Sequence, residues 1–105
     1  MKKGMILNPA AIGFLASMGI SKINVYKKPV VSIIVTGNEL ESLDNKHLQT
    51  GQIYESNSYT LLATLQQMNL NVKNIVRVKD EKEELNIRLK QCVTDSEVVI
   101  LSGGI

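Results

Sequence analysis

Tryptophan is absent from the 105 residues, phenylalanine occurs once, at Phe14, and the three tyrosines are scattered. Nucleic-acid binding usually shows a basic stripe interleaved with aromatics, and 12 basic against 10 acidic residues, a net charge of +2, supply no such stripe. No nucleic-acid partner is therefore expected. The lone cysteine, Cys92, cannot close an internal disulfide and falls inside a helical pattern, which favours a reducing, cytoplasmic setting. The single histidine, His47, has no second ligand at metal spacing. No apolar run approaches the roughly 20 residues of a membrane-spanning helix, so no membrane partner is expected. The glycine fingerprints of dinucleotide folds and phosphate-binding P-loops are missing as well.

Lys2 and Lys3 ahead of an apolar stretch from Met5 to Ile20 imitate a secretory signal, but Asn8-Pro9 interrupts the run. Ile12, Leu15, Ala16 and Gly19 recur on one helical face. The pattern predicts a short amphipathic helix with Asn8 as N-cap, Pro9 at its first position and Gly19 at its end. With 44% hydrophobic residues the chain can build one modest core, and a single domain over residues 1–105 follows.

What is present is an alternation. Ile23 to Tyr26 reads as a short edge strand. Val30 to Val35, unbroken and mostly β-branched, reads as a strand buried on both faces. Residues 36–54 form a long polar loop, Ser56 to Met68 a helix ended by Asn69, and Val72 to Val78 a second main strand. Glu81 to Val93 carries an inward stripe of Leu85, Leu89 and Cys92, and Glu97 to Ser102 closes as the third main strand. Helical crossovers between consecutive strands force parallel pairing and right-handed connections. The fold class is α/β: a three-layer, doubly wound, mainly parallel sheet. The second main strand should lie outside the first, and the third on its other side.

That architecture places Thr36-Gly37-Asn38-Glu39, Lys79-Asp80 and Ser102-Gly103-Gly104 at the carboxyl ends of the strands, on one rim. Backbone N–H groups converge at such a rim, glycines admit an anion closely, and a crevice is expected where the first and third turns flank the switch point. Glu39 and Asp80 could there hold a cation or orient hydroxyls and water. Plainer readings exist for each residue. Thr-Gly and Ser-Gly are common strand punctuation, Asp80 could cap the helix beside it, and Ser56 and Ser58 could be N-caps or part of an anion-binding helix end.

Four strings carry a resemblance: KKGMILNPAAIGFLASMGISKINVYKKPVVSIIVTGNEL, TGQIYESNSYTLLATL, IVRVKDEKEEL and VVILSGGI. Together they resemble the molybdopterin molybdenumtransferase family, MoeA and the gephyrin E-domain, over residues 2–105. The resemblance implies a molybdopterin-binding, MogA-like fold and a role in molybdenum cofactor biosynthesis. It implies an enzyme that takes molybdate and adenylylated molybdopterin, inserts the metal and releases AMP with the help of Mg2+. By motif match, Glu39 and Asp80 would be catalytic and metal-binding. Thr36, Gly37, Asn38, Ser56, Asn57, Ser102, Gly103 and Gly104 would contact the pterin and its phosphates. Many relatives carry aspartate where Asn38 stands. A MogA-like binding or adenylyltransferase module and a non-catalytic scaffold are the alternatives, and the TGNEL and GQIYESN strings speak against the first.

In the family the SGG turn runs on into S-V-G and an aspartate, whereas this sequence stops at Ile105. The resemblance therefore implies the N-terminal part of a catalytic domain, truncated at its C-terminus and inactive alone. An apolar edge at Val98 to Leu101 would then invite a homodimer or higher self-association.

Overall fold

The computed structural model describes residues 2–103. Its elements run α1 (Pro9–Ser17), β1 (Val30–Thr36), β2 (Leu40–Glu41), β3 (Ile53–Tyr54), α2 (Asn57–Gln67), β4 (Asn71–Val78), α3 (Lys82–Asp95) and β5 (Val98–Ser102). The main sheet has the order β4-β1-β5, and β1 pairs in parallel with both neighbours. The expected strand order is thus the observed one.

β1 is central because its residues can be buried on both faces. Val31, Ile33 and Val35 pack against Leu65 of α2 on one side, with Leu61, Leu62 and Ile100 around them. Ile34 packs with Val78 and Cys92 on the other side, where Leu85 and Leu89 of α3 close the layer. Ile33 and Ile34 are 0% exposed, and each contributes about 1.5–3 kcal/mol by leaving water. Helices on opposite faces of a parallel sheet make the three layers that the alternation of elements requires. Ser32, buried in this strand, is satisfied by the Ser96 hydroxyl at 2.9 Å and the Asn74 amide at 3.2 Å. A register shift between Val31 and Ser32 brings Asn74 opposite Ser32.

Helix ends follow the local chemistry. Asn8 Oδ1 accepts the Ala11 N–H at 2.8 Å, and Pro9 occupies the first turn, where its missing N–H costs nothing. Gly19, at φ 76°, ends α1, with its N–H on the Ala16 carbonyl and that of Ile20 on the Leu15 carbonyl. Asn69, at φ 53°, ends α2 in the same way, its N–H bonded to the Gln66 carbonyl and that of Leu70 to the Leu65 carbonyl.

Three expectations are corrected. Ile23 to Tyr26 is not a strand: it pairs with none of the described strands, and Val25 and Tyr26 stay exposed. The stretch 36–54 is not wholly loop, since β2 and β3 pair in parallel through Leu40 and Ile53 and through Glu41 and Tyr54. Glu41 braces it, accepting from the side-chain amides of Gln52 at 2.6 Å and Asn45 at 3.2 Å. Finally, α1 is helical but buries none of its residues, so its apolar stripe covers no core in the described residues. The segment that carries it helps stretch the molecule to 64 × 28 × 22 Å.

Candidate functional site

The carboxyl ends of β1, β4 and β5 meet at one rim. Thr36, the last residue of β1, pairs with Val78 of β4 and is buried. Gly37 continues the pairing by donating its N–H to the Val78 carbonyl at 3.3 Å. Asn38 then turns outward, and its Oδ1 accepts the Asp80 backbone N–H at 3.1 Å. This bond ties the first turn to the second. The asparagine amide needs no second negative charge to do so, because it is an acceptor at this position.

The third turn packs directly on the first. Gly103 lies at φ +122°, and a Cβ placed there would overlap the Thr36 carbonyl oxygen and come within 2.8 Å of its hydroxyl. Only glycine meets both conditions, the backbone conformation and the close approach. A fourth segment joins through α2: Asn57 Nδ2 donates to Ser102 Oγ at 3.0 Å. Gly104 lies outside the described residues.

Glu39 is exposed beside this turn, and a Cβ on Gly37 would sit 3.0 Å from either of its carboxylate oxygens and 2.9 Å from Leu40 Cγ. Asp80 is exposed too, next to Asn38. Among the described residues no three histidine, cysteine or carboxylate side chains are grouped to cage a metal ion. Glu39 and Asp80, the two carboxylates expected to hold a cation, therefore stand outside any such group. An open cleft of about 420 Å³ lies along the β1 and β4 ends, lined by Gly37, Leu40, Arg77, Lys79, Glu81 and Glu84 among others. It opens on the β4 side, whereas the crevice was expected between the first and third turns, which here touch.

Two capping expectations change. Glu81, not Asp80, holds the N-cap position of α3, and it forms no side-chain cap bond. Ser56 stands at the N-cap of α2 without a side-chain cap bond either. The cap comes from Glu55, whose Oε1 accepts the Ser58 N–H at 2.7 Å and whose Oε2 accepts the Ser58 hydroxyl. This carboxylate is 1% exposed and is also reached by Arg77 Nε at 3.2 Å. Burial pushes its pKa up, but the Ser58 hydrogen bonds and the Arg77 guanidinium outweigh that and hold it below the ordinary glutamate range. With a side-chain carboxylate already at its first turn, α2 presents a filled end to any phosphate. Glu55 is missed by a reading from sequence, since the capping-box signal runs from Ser or Thr to a Glu or Gln three residues later and the order here is reversed.

The family model described as "Probable molybdopterin binding domain" matches residues 32–105. The chain belongs to that molybdopterin-binding domain family. It is similar to the molybdopterin molybdenumtransferase of Haemophilus influenzae, 30% identical over all of this chain and 26% of that protein. The Nostoc sp. protein of the same name is 37% identical over 94% of this chain and 22% of its own length. Among solved structures, a MoeA molybdopterin biosynthesis protein of Pyrococcus horikoshii aligns over 99% of this chain and 26% of its own, at 34% identity and a TM-score of 0.77. The chain thus spans about a quarter of the length of the relatives it matches. The matched region contains every turn of the rim, and the molybdopterin-binding domain fold agrees with the three-layer parallel sheet.

Proposed function

We propose that this chain supplies the molybdopterin-nucleotide site of a molybdopterin molybdenumtransferase, the N-terminal part of its catalytic domain. The reaction would use molybdate and adenylylated molybdopterin as substrates, place the metal in the dithiolene and release AMP. The observation that carries the reading is the joining of distant segments at one rim by Asn38 to Asp80, Asn57 to Ser102 and Gly103 to Thr36. An anionic, pterin-sized ligand needs such a surface: backbone donors, glycine-tight turns and carboxylates at its margin.

In this reading the Gly37 and Gly103 turns approach the ligand's phosphates, and Asn38 and Asn57 offer amide groups to its polar edge. Glu39 and Asp80 would hold Mg2+, which would supply positive charge against the ligand's phosphates. Glu39 is exposed and so is free to turn toward a bound cation, while Asp80 has its backbone pinned by Asn38. Among the described residues no helix is long and apolar enough to cross a membrane, and a cytoplasmic location is proposed from the single unpaired, buried cysteine. Calorimetry with adenylylated molybdopterin and Mg2+ tests the reading. Glu39→Ala should abolish the Mg2+-dependent part of binding; identical Mg2+ dependence in wild type and variant would refute the metal assignment.

A further inference from the structure

The most deeply buried charged side chain among the described residues lies just outside the rim. Glu55 needs no cationic partner to cap α2, since its bonds to Ser58 already do that. Yet Arg77, the penultimate residue of β4, reaches across to it at 3.2 Å. Arg77 Nη2 also donates to Tyr59 Oη at 3.3 Å, and the guanidinium lies 5.9 Å from the centroid of that ring. Strand and helix are therefore joined on both sides of Ser58. A charged group that has lost its water is held in place by such bonds and is costly to move. Two residues after Glu55 comes Asn57, whose amide bonds Ser102.

We propose that Glu55, locked by Arg77, is a positioning residue: it fixes the rotation of the first turn of α2 and so aims the Asn57 amide at Ser102. This deepens the functional reading above and rests on it for the identity of the ligand. The geometry itself can be tested without ligand. Glu55→Gln keeps an acceptor for the Ser58 N–H but sets an amide N–H against the guanidinium. Arg77→Met removes the charge and keeps the stem, and serves if the first variant does not fold.

In wild-type protein the Asn57 side-chain amide should give a single sharp, shifted pair of NMR signals. In either variant that pair should move toward free-amide positions, with the α2 and β-sheet backbone signals retained. Calorimetry with adenylylated molybdopterin should show affinity about tenfold weaker for Glu55→Gln and for Asn57→Ala, the scale of one lost hydrogen bond. The double variant should be no weaker than either single one. Unmoved Asn57 signals, or losses that add in the double variant, would overturn the proposal. If wild type itself does not bind the probe, the functional reading fails while the Asn57 signals still decide the positioning role.

Discussion

Glycine 103 and glutamate 55 show how much a single residue decides here. At Gly103 a methyl group meets both a positive φ and the Thr36 carbonyl. Gly103→Ala should lower stability by about 2 kcal/mol or more, the sum of a strained backbone and a steric overlap, read as a lower urea midpoint. For Glu55 the sign of the pH effect follows from its depressed pKa. A carboxylate whose pKa falls on folding adds stability that is complete above its unfolded value and is lost as pH drops through the folded one. Urea midpoints should therefore decline below the ordinary glutamate range, and Glu55→Gln should flatten that decline; an unchanged slope would contradict it. Glu97, also held below its usual range by the Val30 N–H and Lys27, is exposed and adds to the same trend. Glu97's role and the tie of Glu55 to Arg77 are not legible in the sequence, because both depend on partners far along the chain.

At the scale of elements, local signals are the ones that read through. Asn8, Gly19 and Asn69 mark helix ends by chemistry confined to a few residues, and each does what its type suggests. Asn8→Ala should cost α1 about 1 kcal/mol, seen as reduced helical circular dichroism and faster amide exchange at Ala11. The β-branched run at β1 likewise announces a strand buried on both faces, and the strand order follows from crossover length and handedness. What fails is whatever needs a partner. Ile23 to Tyr26 has strand composition but pairs with neither outer edge of the described sheet. The β2 and β3 pairing joins residues separated by a polar loop in which no hydrophobic period is visible. Of the site, the turns Thr36 to Glu39 and Ser102-Gly103 are legible as strand ends. Their mutual contact, and the cap that Glu55 takes from Ser56, are not.

For the whole molecule, two surfaces ask for a partner. Phe14, Ile12 and Met18 on or beside α1 are each more than half exposed, and β5 leaves Val98 and Leu101 open beside a sheet edge with no strand on it among the described residues. Exposed apolar surface next to an unpaired edge favours association between copies. Light scattering at micromolar concentration should report a homodimer or larger species, and a monodisperse monomer would refute that. The central claim is that separate turns form one ligand site. NMR titration with adenylylated molybdopterin in the presence of Mg2+ tests it most directly. The backbone amides of Gly37, Asn38, Asp80, Ser102 and Gly103 should shift together along one saturation curve. Shifts confined to one turn, separate curves, or a response only on the α1 segment would contradict a shared site.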